Sequence, residues 1–165
     1  MLIFKLIYHV AAFYKKFLMK VIYGKQIKFG KQVTFRSGFT LMIDKGANVI
    51  IGNDVFFNKD CTVDAVESIK IGDGTIFGEN VKIYDHNHKF RKRNEPIKKQ
   101  GYSSKAIEIG THCWIGSNVV ILKGAKIGNN VVVGAGTIIS SEIPDDTIVK
   151  PKRDNFIIEK IDIEN

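Results

Sequence analysis

A repeat of six residues constrains this chain more than any other feature. From Ile109 onward an aliphatic residue falls at every sixth position: Ile109, Ile115, Ile121, Ile127, Val133 and Ile139. The next residue is small at Gly110, Gly116, Gly128, Gly134 and Ser140, and the fourth-following slot holds Cys113, Val119, Ala125, Val131 and Thr137. The same register runs upstream through Ile51, Phe57, Val63 and Ile69, and again through Ile71, Phe77 and Ile83. Phe29 with Val33, and Phe35 with Phe39, read as a degenerate, aromatic first coil, because a terminal repeat must cap the core.

Six residues are too few for a helix pair or a propeller blade. They suit a short strand plus a turn, with three such units making one coil of a parallel β-helix. The large aliphatic points into the prism, the small residue four later sits at the corner, and glycine tolerates unusual turn dihedrals. One coil is then eighteen residues, the step from Ile109 to Ile127. The step from Ile51 to Ile71 is twenty, and that from Ile71 to Ile109 is 38, a coil plus twenty inserted residues. The expected fold is all-β, with a short N-terminal α-helix and one long inserted loop. Its expected parts are a helix over 1–24, a β-helix over 25–150 that carries the loop 86–106, and a tail over 151–165.

At 165 residues the chain suits one domain. Cys61 and Cys113 form no CxxC pair and both occupy the small corner slot, so they read as compact apolar residues in a reducing, cytoplasmic setting. The formal charge of +8 asks for an anionic partner. Lys89, Arg91, Lys92, Arg93, Lys98, Lys99 and Lys105 crowd the loop against Glu95, and the first 31 residues carry seven lysines and no acid. No RNP signature, zinc-finger spacing or basic zipper accompanies them, which argues against nucleic acid. Leu2, Ile3, Leu6, Ile7, Val10, Phe13, Tyr14, Phe17, Val21 and Ile22 recur at helical spacing, with Lys5 and His9 interrupting too early for a membrane span. Two readings stand: a capping helix packed on the domain, or a basic amphipathic helix peripheral to an anionic membrane.

The one long interruption opens with Tyr84-Asp85-His86-Asn87-His88. A histidine there offers a general base that titrates near neutrality, suited to deprotonating an alcohol. Read otherwise, His-x-His is a polar loop or half of a metal pair, for which Asp85 is the one strong further ligand; no metal is expected.

Val49 to about Asp145 resembles the hexapeptide-repeat (left-handed β-helix) acetyltransferases, nearest the galactoside, maltose, nodulation-factor, capsule and lipopolysaccharide O-acetyltransferase branch. The resemblance is carried by Phe56-Phe57-Asn58, Ile71-Gly72-Asp73, Ile83 through His88, Trp114-Ile115-Gly116-Ser117 and Val133-Gly134-Ala135-Gly136-Thr137. It implies a left-handed coil and a homotrimer with active sites in the clefts between prisms. It also implies acetyl-CoA as cosubstrate and His88 as the catalytic base, five residues after Ile83, with His86 and Asp85 as its neighbours. Asn58 and Tyr84 match acceptor-side positions. Trp114, Ser117, Gly134, Ala135 and Ser140 match positions along the cofactor. Many members end in a proline-containing basic segment that meets the CoA phosphates; here Ile148-Val149-Lys150-Pro151-Lys152-Arg153 stands in its place, and Lys150, Lys152 and Arg153 are the candidates. Ser140-Ser141 departs from the Thr-Lys common in the family.

The function this implies is acetyl-CoA-dependent O-acetylation of a sugar hydroxyl in surface polysaccharide biosynthesis, by direct transfer. The alternatives are N-acetylation of an amino-sugar nucleotide, and a catalytically inactive β-helix scaffold.

Overall fold

The computed structural model describes residues 2–151, with side chains from residue 9 onward; Lys152, Arg153 and the rest of the expected tail lie outside the described residues. One helix, α1 (Leu2–Tyr23), precedes a solenoid of short parallel strands stacked on three faces. The first face runs Ile27–Phe29, Asn48–Ile51, Ser68–Ile71, Ile107–Ile109, Lys126–Ile127, Glu142–Ile143; the second begins at Thr34–Phe35 and ends at Ile148–Val149. The third runs from Thr40–Ile43 through Thr62–Ala65, Lys82–Tyr84 and Val120–Leu122 to Ile138–Ile139. The fold is a parallel β-helix with an N-terminal helix and one inserted loop, as the hexad period requires.

The periodic residues form the core. Ile51, Ile71, Ile109 and Ile127 stack on the first face, and Ile121 lies over Ile83 on the third. On the second face Phe35, Phe57 and Phe77 succeed one another, with Phe39 wedged beside the first two; the Phe57 and Phe77 rings stack at 4.5 Å. The aromatic first coil is thus part of the continuous core. Val55, Cys61, Val81, Cys113, Val119, Ala125 and Val131 fill the corners, all buried.

Glycine after the inward aliphatic has a different cause from the one the turn argument supplies. Gly72 and Gly116 do not adopt left-handed dihedrals. Instead, a Cβ on Gly72 would stand 2.6 Å from the Gly110 carbonyl carbon, and one on Gly116 would stand 2.6 Å from the Ala135 nitrogen. The coils touch backbone to backbone there. The positive φ falls later in the corner and is carried mostly by Asp and Asn, which tolerate it: Asp54, Asp60, Asn80, Asn118, Asn130 and Asp146.

All variation in coil length is confined to one corner. Steps from first to second face and from second to third stay at six residues, whereas the return from third to first shrinks to four between Ile139 and Ile143 and swells to 26 between Ile83 and Ile109. The inserted loop leaves at this corner. It is a hairpin, His86–His88 pairing antiparallel with Tyr102–Ser104, and Gln100 closes it by accepting from Lys92 N–H at 3.0 Å and donating to the Lys92 and Glu95 carbonyls.

α1 lies over the first coil, with a face the apolar spacing does not suggest. Val33 and Phe39 carry the last carbonyls of two interstrand ladders, with no coil beneath to satisfy them. Lys16 donates to the Val33 carbonyl at 2.8 Å, Lys15 to that of Phe39, and the Tyr23 hydroxyl to that of Leu41 at 2.9 Å. Burial pushes both lysine pKa values down, with Lys20 adding to the effect at Lys16. Ala12 and Met19 fill the space between them, and the larger apolar side chains point outward.

Gly72→Ala should force the third and fourth coils apart and lower stability by about 1–3 kcal/mol, read as a lower urea midpoint at fixed protein concentration. An unchanged midpoint would mean that the backbone contact is not tight.

Candidate active site

Asp85 is the residue that turns the chain out of the prism. It is fully buried, and its carboxylate accepts from the backbone N–H groups of Val66 (2.8 Å), Glu67 (2.8 Å) and Ser68 (2.7 Å). Those three N–H groups span the return to the first face, where the two-residue expansion between Ile51 and Ile71 falls, so one carboxylate closes that turn and anchors the hairpin above it. The remaining contact of Asp85 is with His86 Nδ1 at 3.2 Å. Buried and with its lone pairs so occupied, Asp85 fixes the histidine strand.

Strand alternation then sets His86 and His88 on the same side of the hairpin. Tyr102, directly across from His88, lies against both rings, with centroids 4.8 Å from His86 and 4.6 Å from His88. His86 is half-buried, edge-on to Tyr84 and tied to Asp85; the His88 imidazole is exposed. His88 opens on a cleft of about 570 Å³ lined also by Lys89, Phe90, Arg91, Lys92, Gln100, Ser103 and Lys123. Lys123 reaches the Ser103 hydroxyl and so links the next coil to the hairpin. This is one exposed imidazole, packed against the Tyr102 ring and rimmed by positive charge.

Burial pushes the carboxyl of Asp64, stacked below Tyr84, above the ordinary range; Asp44 and Asp85 add to the rise, and His86 opposes it. The thiols of Cys61 and Cys113 are also pushed up by burial, and each sulfur lies 3.1 Å from a backbone carbonyl oxygen. Both thiols meet backbone carbonyls, Cys61 those of Lys59 and Gly78 and Cys113 those of Thr111 and Gly128. Among the described residues no group of three or more His, Cys, Asp or Glu could hold a metal ion.

The other sequence-selected residues lie elsewhere on the same chain. Asn58 and Ser117 sit at the corner between second and third faces: Asn58 Oδ1 accepts from Arg36 (3.1 Å) and the Lys59 N–H (2.9 Å), and Ser117 Oγ accepts from the Glu79 N–H at 3.1 Å. Gly134 and Ala135 continue that corner column, and Lys150 follows directly over Gly134. Trp114 lies outward on the second face, 56% exposed, between Ile76 and Val132. Ser140 alone of this group falls on the hairpin's edge of the third face. At the level of the hairpin that face is three or four residues wide, so the histidines and the Asn58–Ala135 column stand on the order of 10–15 Å apart in one chain. A single copy brings together Tyr84, Asp85, His86 and His88, and keeps them apart from Asn58, Ser117, Gly134 and Ala135.

Sequence reasoning missed Tyr102, Ser103 and Lys123. The hexad period is silent inside the insertion, and the pairing of His88 with Tyr102 depends on where the loop turns back. Gly101, just before the returning strand, was the one available signal.

The sequence matches the bacterial transferase hexapeptide (six repeats) family over residues 106–141. It is 36% identical over 132 residues to WbbJ of Escherichia coli, by name a lipopolysaccharide biosynthesis O-acetyl transferase, covering 74% of this chain and 66% of the relative. The chain spans about half to two thirds of the length of the first curated relatives it matches. Among solved structures, a maltose O-acetyltransferase from Clostridium difficile superposes with a TM-score of 0.66 at 30% identity, covering 88% of this chain and 75% of that one. A hexapeptide-repeat acetyltransferase from Vibrio cholerae in complex with acetyl coenzyme A gives 0.65 at 25% identity, covering 79% and 70%.

Neither Cys61 nor Cys113 should react with a thiol reagent such as dithionitrobenzoate in the native protein, and both should react once it is unfolded, read at 412 nm as roughly two equivalents. Rapid native labelling would contradict the buried, inert assignment. Repeat period, coil geometry and these likenesses converge: the chain belongs to the hexapeptide-repeat acetyltransferase family.

Proposed function

We propose that the protein transfers the acetyl group of acetyl-CoA to a hydroxyl of a sugar or glycan, with His88 as general base, in clefts between the copies of a homotrimer. The observation that carries this reading is the separation within one chain of the exposed His88 from the corner column of Asn58, Ser117, Gly134 and Ala135. The hairpin edge of one copy and the corner column of the next would supply both sets of residues to one cleft. Relatives named as O-acetyltransferases of galactosides, maltose and lipopolysaccharide support the reaction class.

In this mechanism the acceptor hydroxyl enters from the cleft and hydrogen-bonds the exposed His88 ring. His88 takes the proton as the oxygen attacks the thioester carbonyl, and backbone N–H groups stabilise the tetrahedral oxyanion. Collapse breaks the C–S bond, and the protonated His88 returns the proton to the departing thiolate as free CoA leaves. Tyr102 and the His86–Asp85 pair hold the hairpin that carries His88. The two buried thiols, both pushed up by burial, favour direct transfer over a cysteine acyl-enzyme. Lys150, at the end of the corner column, is suited to the CoA phosphates. Lys89, Arg91, Lys92 and Lys123 around the cleft favour an acidic acceptor, such as a charged precursor of a surface polysaccharide.

His88→Ala should lower acetyl transfer by about 10²–10⁴-fold while leaving CoA affinity in place; His86→Ala should cost less. The opposite order would move the base to His86. Sedimentation should give a trimer, and a fully active monomer would defeat the intersubunit site. Lys89→Gln with Arg91→Gln should raise KM for an anionic acceptor more than it lowers kcat, and an unchanged KM would make that charge a solvated surface. Paired hydroxyl and amino acceptors separate this reaction from N-acetylation.

A further inference from the structure

The helix α1 has its amphipathicity reversed. A helix lying on a globular domain ordinarily turns its apolar stripe inward and its charges to water. Over residues 9–23 the inward side is Ala12, Lys15, Lys16 and Met19, with the two lysines spent on the terminal carbonyls of the first coil. Val10, Phe13, Phe17, Leu18, Val21 and Ile22 point to solvent, with Phe17 at 64% and Val21 at 65% exposure. At about 100° per residue these side chains form a continuous apolar arc with no charged group inside it. Lys20 flanks the arc, and Lys25, Lys28 and Lys31 stand exposed just beyond the helix. No acidic residue occurs before Asp44.

We propose that this outward face of α1 docks on an anionic lipid surface, the apolar arc entering the interface and the flanking lysines meeting the headgroups. Charge decides between this and a second copy of the chain. Two such helices face to face would bring two wholly basic N-terminal regions together, whereas anionic headgroups complement them. Among the described residues no helix is long and apolar enough to cross a membrane, so α1 lies on the surface and does not span it. Attachment at this end would leave the cleft at the hairpin corner, two coils further along the prism, facing the aqueous side.

The test is flotation of the full chain with vesicles of pure phosphatidylcholine and with vesicles containing about 30% phosphatidylglycerol. The expected result is binding at least about tenfold tighter to the anionic vesicles, since each lysine near such a surface contributes roughly fivefold, and weakening at high salt. Phe17→Gln with Val21→Gln should abolish binding while circular dichroism, unfolding midpoint and acetyl transfer to a soluble acceptor match the parent. Lys20→Gln with Lys25→Gln and Lys28→Gln should remove the preference for anionic lipid. No binding to either vesicle overturns the proposal. So does a larger oligomer of the parent chain, dispersed by Phe17→Gln with Val21→Gln, because a second copy then covers the arc.

Discussion

Each coil donates its backbone N–H groups to the coil above it, from Gly30 to Ile51 at one end through Gly134 to Val149 at the other. Everything else in the molecule answers to that stacking. Parallel ladders tolerate no slip, because a one-residue shift would turn every inward side chain out. Hence the invariant six-residue steps on two corners, and hence glycine at Gly72 and Gly116, where a Cβ would wedge the coils apart. A ladder must also end. Where the last carbonyls of the first coil have no further coil to meet, Lys15, Lys16 and Tyr23 supply the donors, and that requirement decides which face of α1 turns inward.

The same constraint locates the chemistry. Residues can be added without disturbing the ladders only where the chain passes between faces, and here a single corner absorbs every change in length. Asp85 makes the departure stable by taking three backbone N–H groups from the coil below. A buried carboxylate so bonded is worth far more to the fold than as a proton carrier, because those N–H groups would otherwise be stranded. The result is a hairpin fixed at its root that presents an exposed imidazole, the arrangement the proposed general base requires.

Much of this was legible in the residues themselves. Ile51, Ile71, Ile109 and Ile127 announce the inward column, Cys61 and Cys113 the corners, and the break after Ile83 the insertion. What stayed hidden depends on contacts that no period encodes. His88 meets Tyr102 only because the loop folds back as a hairpin. Asp85 reads beside two histidines as a reactive group, and its three backbone partners come from a coil nearly twenty residues earlier. Of the two readings of α1, the packed one would bury a stripe at Phe13, Phe17 and Val21, but the orphan carbonyls of Val33 and Phe39 outrank it, since an unsatisfied buried carbonyl is costlier than an exposed aliphatic.

The central claim is that the histidine edge of one copy and the corner column of another make one active site. Mixed trimers test it most directly. His88→Ala removes the base and leaves the corner intact; Ala135→Trp obstructs the exposed corner column and leaves the hairpin intact. Each variant alone should be inactive. Unfolded together at equal amounts and refolded, they should recover about a quarter of the parent's acetyl transfer, the fraction of clefts that draw an intact histidine from one copy and an intact column from its neighbour. Activity no higher than that of either variant alone would contradict a shared site.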